Sequence, residues 1–174
     1  MKRLPDDIEE RMQFHLYFEE KSIRFYGHLA SWLEYNGYFN TAKLYNSYAT
    51  EEGSHKNKVK QYLLDRDVIP KTTAQEEITQ DFKGLKDVLD AAYKFTVSVS
   101  DEYNKTAVMC IKSSCIPTFN FVQWFVSDQI KEEAKAKGFL DRISMLEENK
   151  APLSDFEDYM EDYLEAIDEV NEND

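Results

Sequence analysis

Four long segments of this 174-residue chain repeat apolar residues about every three and a half positions, which places one apolar stripe on one face of an α-helix. Little interrupts them, because the chain has only 5 Gly and 4 Pro. Each proline stands near the start of an apolar segment or just outside it, where a missing backbone N–H is harmless. We find no strand-like alternation, so the chain is predicted to be all-α.

The stripes give approximate helix bounds. The predicted helices cover about residues 5–36, 40–66, 84–113, 117–149 and, as a shorter fifth helix, 154–170. The first two and the last two long helices are joined by a few residues, so each pair should form an antiparallel hairpin. The polar stretch 67–83 is long enough to run the length of a helix. We therefore expect an up-down-down-up four-helix bundle with one long crossover over residues 1–150, followed by a fifth helix of the same domain in 151–174.

The charge is unevenly placed. The formal net charge is −13, yet the last 24 residues hold ten acids and no Lys or Arg. An acidic chain repels phosphate backbones and anionic lipid, so neither nucleic acid nor a membrane is expected as a partner, whereas cations are. We see no apolar leader or membrane-length apolar run, and the two cysteines suggest no zinc framework. We expect a cytoplasmic protein with reduced thiols.

Polar residues interrupt all four long stripes near mid-helix, so in an antiparallel bundle they could meet at one level. The first stripe passes through an acid, the second through a Glu-x-x-His motif, the third through a threonine and the fourth through a glutamine and an acid. In chain order, these residues are Glu19, Glu52 with His55, Thr96, and Gln129 with Glu132.

Burying several unpaired carboxylates costs several kcal/mol each unless they are protonated, paired or bound to a metal. No Lys or Arg lies on the four stripes, so a cation is expected. Carboxylates with one imidazole suit iron or manganese, with zinc as a competitor. The alternative is that the glutamates lie on solvated edges of wide stripes and that His55 is an ordinary packed histidine.

The other histidines, His15 and His28, have no such neighbours and are predicted to be surface or interface residues.

Four segments resemble a known family. They are Leu-Ala-Ser-Trp-Leu-Glu-Tyr at 29–35, Glu-Glu-Gly-Ser-His at 51–55, Ile-Pro at 69–70 and Pro-Thr-Phe-Asn-Phe-Val-Gln-Trp-Phe-Val-Ser-Asp-Gln at 117–129. Over about residues 8–146 the chain resembles a ferritin of the non-haem bacterial type. The resemblance implies a homo-oligomeric shell of 24 subunits that oxidises Fe(II) at a dinuclear centre in each bundle and stores the ferric product as a mineral.

The resemblance also assigns roles. Glu19, Glu52 and His55 match the first iron site, with Glu52 as the bridging ligand. Gln129 matches the glutamine that orders water or oxygen, and Tyr26 matches a tyrosine that can supply an electron. These five are the predicted catalytic residues.

A third, inner iron site is implied as well. Glu51, Asp128 and Glu132 match members of that site, but Lys131 replaces an acid there and brings positive charge to it. Trp124 is placed near enough to donate an electron, although burial would explain it equally well.

Other positions depart from the family. Thr96 stands where the third helix should supply a glutamate to the second iron, so we expect that iron to bind more weakly and paired oxidation by O2 to be slow. Haem is not expected, since Gly53 replaces the haem-ligating methionine of bacterioferritins and the fourth helix has no Glu-x-x-His. The fifth helix, with one apolar stripe and otherwise acidic faces, would either line a channel with carboxylates or lie elsewhere.

Three functions remain open on this evidence. The first is a ferroxidase that stores iron. The second is a shell subunit with an incomplete centre, which binds iron without oxidising it efficiently. The third is a related di-metal oxidase of the rubrerythrin kind, which the missing second Glu-x-x-His and the absence of Cys-x-x-Cys pairs disfavour.

Overall fold

The computed structural model describes residues 3–171, without the side chains of residues 170 and 171. Val170, the last apolar residue on the stripe of the predicted fifth helix, therefore lies outside the described side chains. Five helices and no strand occur in this part of the chain. They are α1 (Asp6–Tyr35), α2 (Phe39–Asp65), α3 (Leu85–Lys112), α4 (Ile116–Glu148) and α5 (Ser154–Asn171). The predicted bounds agree with these within one residue, and none of the described helices has the length and apolar character of a membrane span.

The four long helices stop in the same way. Each is followed by a residue with a left-handed backbone, and the next residue donates its N–H to a carbonyl five positions back, as in a Schellman motif. The left-handed residues are Gly37, Asp67, Ser114 and Lys150, with φ of 86°, 63°, 52° and 54°. This ending satisfies free carbonyls and turns the chain sharply, which explains the short connections within the α1–α2 and α3–α4 hairpins.

The long crossover fixes the topology. It runs beside α1 from the first half of that helix to its end: Gln75 donates to the carbonyl of Tyr17 at 2.9 Å, and Trp32 Nε1 donates to Asp81 at 2.9 Å. Helix α3 then returns, since Ser113 near its end donates to Asp7 at 2.7 Å. Helices α2 and α3 are therefore parallel, and the up-down-down-up bundle is confirmed.

The acidic helix α5 lies on the bundle itself, against α2 and α4. Phe156 and Met160 are fully buried there. The Glu157 carboxylate accepts the backbone N–H groups of Asn40 at 2.7 Å and Thr41 at 3.1 Å, and also the Thr41 hydroxyl. These N–H groups belong to the first turn of α2, whose own N-cap residue, Tyr38, makes no side-chain capping hydrogen bond, so α5 supplies the N-terminal cap of α2.

The prediction that His15 is a surface or interface residue is wrong. Its side chain is fully buried, with Nε2 2.6 Å from the Thr106 hydroxyl oxygen and the ring stacked on Tyr103 at 4.1 Å. Burial, aided by the Arg11 charge, lowers the pKa of His15 to about 3, so the imidazole is neutral. A neutral histidine with a hydroxyl partner can pack in a core. His28 is partly exposed and bonds the carbonyl of Gln80 on the crossover at 2.6 Å.

Candidate metal centre

Three potential ligands meet between α1 and α2. Glu19 of α1 and both members of the Glu-x-x-His motif of α2, Glu52 and His55, each offer one ligand atom, and these atoms all lie within 4.8 Å of one another. Their side chains are 1%, 7% and 4% exposed. The i, i+3 spacing puts Glu52 and His55 on one face of α2, and the antiparallel hairpin brings Glu19 opposite them. The arrangement is buried, so it does not fit glutamates on solvated edges.

One carboxylate oxygen in this cluster has no hydrogen-bond partner. Glu19 Oε1 accepts a hydrogen bond from the Tyr103 phenol, whereas Glu19 Oε2 is buried without a partner within the described part of the chain. His55 Nδ1 lies 3.2 Å from Glu52 Oε2. A buried polar atom left unsatisfied costs about 1–3 kcal/mol, and a bound cation would remove that cost.

Both carboxyl groups of the cluster are shifted toward their protonated form. Burial, followed by the charge of Glu52, raises the pKa of Glu19 well above its usual range. Burial raises the pKa of Glu52 to about 7, although its interaction with the neighbouring Glu19 carboxyl acts in the opposite direction. Without a metal, the pair therefore keeps a proton near neutral pH. A divalent cation would displace that proton.

This shift predicts that the contribution of Glu52 to the stability of the metal-free protein falls as the pH rises from about 5 to about 8, whereas buried His15, with its pKa lowered to about 3, makes an opposite contribution below about pH 6.5. The native state keeps a proton on Glu52 up to about pH 7, whereas the unfolded state, with the ordinary pKa of 4.5, releases it earlier. The stabilisation is complete below pH 4.5 and is lost as the pH rises through 7. The shift corresponds to about 3 kcal/mol per subunit.

Urea unfolding of the metal-free protein at each pH, with chelator present, measures this effect. Glu52→Gln has no titrating group at position 52, so over this pH range the parent should lose about that much stability relative to the variant. The same dependence of stability on pH in the parent and the variant would show that Glu52 does not make this contribution.

Helices α3 and α4 complete the buried layer with neutral groups. The Thr96 hydroxyl donates to the carbonyl of Ala92 at 3.0 Å, so the Tyr26 phenol, 3.2 Å away, is the donor to Thr96. Gln129 is 5% exposed and accepts a long hydrogen bond of 3.4 Å from Ser100. Burial raises the pKa of Tyr26 well above its usual range, so it stays a neutral phenol. The Thr96 hydroxyl oxygen therefore already takes part in two hydrogen bonds.

A second group of possible ligands shares His55. Atoms of Glu51, His55 and Asp128 also lie within 4.8 Å of one another. His55 Nε2 is 3.7 Å from Asp128 Oδ2, a buried oxygen with no hydrogen bond to the described residues. A histidine that binds a metal through one nitrogen usually directs its other N–H toward a carboxylate. Asp128 is in that position if His55 Nδ1 faces a metal beside Glu52.

The structure places Glu132 differently from Glu51 and Asp128. Glu132 accepts a hydrogen bond from Lys135 at 2.7 Å and belongs to neither group of possible ligands among the described residues. Burial raises the pKa of Glu132, and the Lys135 charge opposes this. Lys131, predicted to bring positive charge here, is exposed; the charge at Glu132 comes from the lysine one helical turn further on.

Trp124 is too exposed for burial in the core to explain why a tryptophan stands here. It is 44% exposed, its ring lies edge-on to His55 at 5.2 Å, and the Lys58 ammonium sits over it at 4.4 Å from the ring centre. The indole therefore covers the outer side of His55.

Sequence reasoning overlooked Tyr103 as a polar member of this site. A tyrosine on the apolar stripe of the third helix fits as an ordinary core residue, yet the Tyr103 hydroxyl reaches Glu19. The available signal was its position seven residues after Thr96, which puts both on the same face of α3.

Known proteins match most of this chain. The model of the family described as Ferritin-like domain matches residues 9–146. A bacterial non-heme ferritin of Escherichia coli is 27% identical over 140 residues, which cover 80% of this chain and 82% of that protein. A bacterial non-heme ferritin of Campylobacter jejuni is 28% identical over 131 residues, 75% of this chain and 78% of that protein.

Solved structures show the same fold. An open pore ferritin from Archaeoglobus fulgidus superposes with a TM-score of 0.87 at 22% identity, covering 92% of this chain and 98% of that one. A ferritin of Chlorobium tepidum gives a TM-score of 0.81 at 22% identity, with 83% and 88% covered.

Proposed function

Because the chain belongs to the ferritin family, we propose that it stores iron by oxidising Fe(II) to Fe(III), with O2 or peroxide, at the centre between its helices and by depositing the ferric mineral inside a shell. Family and fold support iron storage and ferroxidase activity in general terms. The assignment of individual ligand residues, the oxidation of iron at this centre and the deposition of the mineral are our proposal. We further propose a homo-oligomer of 24 copies and a place in the cytoplasm.

The observation that carries the proposal is the unpartnered oxygen of Glu19 inside a buried cluster of two carboxylates and one imidazole. Oxygen donors with one imidazole suit iron, and a cation there would compensate the charges that burial disfavours. The same donor set would also accept manganese or zinc, so iron is proposed from the donors and the family together.

In this proposal Glu19, Glu52 and His55 hold the first iron, and Glu52 bridges to a second. Gln129 orders water or oxygen near them, and Tyr26 supplies an electron. Glu51, Asp128 and Glu132 would form an inner iron site, which requires the ion pair of Glu132 with Lys135 to open.

A second candidate is a shell subunit that binds iron without oxidising it efficiently. It is favoured by Thr96, a neutral group whose hydroxyl already has two hydrogen-bond partners. Such a protein would bind one Fe(II) per bundle tightly and the second weakly, and oxidation of paired irons by O2 would be slow.

The test is to add Fe(II) in air to the metal-free protein and to follow ferric absorbance while light scattering reports the size of the assembly. We expect ferric absorbance to rise faster than in buffer alone, and the product to stay in solution inside a large shell. Iron that oxidises at the buffer rate and precipitates would contradict storage and oxidation alike. Binding without rapid oxidation would favour the second candidate.

A further inference from the structure

Tyr103 places a phenol directly beside the carboxylate cluster. Its side chain is fully buried, and its hydroxyl donates a hydrogen bond to Glu19 Oε1. It lies on the same face of α3 as Thr96, the residue at the position where that helix should supply a charged ligand. Resting on the proposed function, we propose that Tyr103 is a further iron ligand, whose phenolate oxygen gives α3 an anionic donor to the metal held by Glu19.

The surroundings hold this phenol in one place. The Tyr103 ring is stacked between His15, with ring centres 4.1 Å apart, and Phe125, with ring centres 4.5 Å apart; the planes are within 12° and 7° of parallel. His15 bonds Thr106 through Nε2 and is neutral, so it brings no competing positive charge. A donor fixed by packing on both faces is preorganised for a metal.

The hydrogen bond to Glu19 marks where the metal would be shared. Glu19 has one oxygen bonded to the Tyr103 hydroxyl and one without a partner. A cation bound by both oxygens of this carboxylate would lie next to the phenol oxygen. Burial, followed by the charge of Glu19, raises the pKa of the Tyr103 phenol, so without a metal it stays protonated. Tyrosine is among the side chains that hold iron in proteins, and a bound cation strongly favours the deprotonated form of a group that coordinates it.

The binding step balances without any electron transfer. The O–H bond of Tyr103 breaks, an O–Fe(III) bond forms, and the proton leaves to solvent. The hydrogen bond to Glu19 is lost, so Glu19 Oε1 becomes free to bind the metal too. The Fe(III) itself comes from oxidation of Fe(II) already bound, by the oxidant supplied. An anionic phenolate favours Fe(III) over Fe(II), so we expect this ligand to act mainly after oxidation.

Spectroscopy can separate a ligand from a hydrogen-bond donor that merely positions Glu19. A phenolate bound to Fe(III) gives a charge-transfer band in the visible region and resonance-enhanced ring vibrations, whereas a phenol that stays protonated gives neither. These signals do not depend on how fast the protein oxidises iron with O2.

In the experiment, the assembled metal-free protein receives one Fe(II) per subunit without oxygen, and equilibrium dialysis measures binding. One equivalent of hexachloroiridate(IV), a one-electron oxidant, then converts the bound iron to Fe(III). We expect the visible band to appear and its resonance Raman modes to shift when the protein carries ring-deuterated tyrosine. That part needs no variant and so no assumption about folding.

Variants then assign the signal to one residue. Tyr103→Phe should lose the band completely and hold Fe(III) roughly tenfold more weakly. Tyr45→Phe, which removes the hydroxyl of another buried tyrosine, 2% exposed on α2, should keep the band.

The outcomes distinguish this inference from the proposed function. Fe(II) binding and oxidation in air with no visible band would overturn the role of Tyr103 and leave the proposed function intact. A band that persists in Tyr103→Phe would also overturn it. A band lost in Tyr103→Phe, in a protein that reacts slowly with O2, would support the ligand while contradicting the ferroxidase. Failure of Fe(II) to bind would overturn both.

Discussion

Glu52→Ala is expected to slow Fe(II) oxidation by at least about 100-fold, because loss of a group that merely supports a metal ligand already costs about 10–100-fold in metal affinity or activity. Glu52 is the proposed bridge, and its carboxylate lies beside both Glu19 and His55 in a site closed to solvent. His55→Ala should have a comparable effect, since it removes the one imidazole donor. The measurement is the initial rate of ferric absorbance after Fe(II) is added in air.

Controls separate ligand loss from misfolding. Glu52→Gln keeps the size of the side chain and removes its charge, so it should be as slow as Glu52→Ala while retaining helix content and assembly. Glu20→Gln changes the acid next to Glu19, a partly exposed residue 3.3 Å from the Lys56 ammonium, and should oxidise iron at the parent rate. If Glu52→Ala and His55→Ala oxidise iron as fast as the parent, the centre lies elsewhere.

Thr96→Glu is expected to raise the oxidation rate roughly tenfold, by restoring the kind of carboxylate that di-iron bundles take from each of their helices. Anaerobic Fe(II) titration should then approach two tight irons per bundle instead of one. The Thr96 side chain is 4% exposed and faces the layer that contains Tyr26, so the longer side chain enters the site and not solvent.

The matched control is Thr96→Gln, which has the size of glutamate without the charge and should bring no gain. An unchanged rate and an unchanged iron stoichiometry in Thr96→Glu would mean that the missing carboxylate does not limit activity. The second candidate function, a shell subunit that binds iron without oxidising it efficiently, would then need another cause for slow oxidation.

The helices and their bounds could be predicted because apolar periodicity is a local signal. The way the helices end was less visible. Gly37 is a typical glycine with positive φ after the end of a helix, but Asp67, Ser114 and Lys150 adopt the same left-handed conformation without being glycine. There the hydrophobic contact and the returning hydrogen bond decide the conformation, and both depend on the folded hairpin. The topology followed from the two short connections together with the length of the crossover.

The candidate metal centre was also predictable only in the part that depends on local sequence patterns. Glu19, Glu52 and His55 could be placed together because each interrupts an apolar stripe at a similar depth. The sequence does not reveal that Tyr103 turns its hydroxyl toward Glu19, since tyrosine also fits an apolar stripe. The burial of His15 and the capping of α2 by Glu157 depend on partners 91 and 116 to 117 residues away, so local patterns carry no trace of them.

The most direct test of the central claim is anomalous diffraction at the iron edge from crystals soaked anaerobically with Fe(II). We predict an anomalous peak within ligand distance of Glu19, Glu52 and His55, with the free oxygen of Glu19 turned toward it. Iron found only on the protein surface, with these three side chains unchanged and no peak between them, would contradict the claim that buried acids from separate helices converge in order to bind metal.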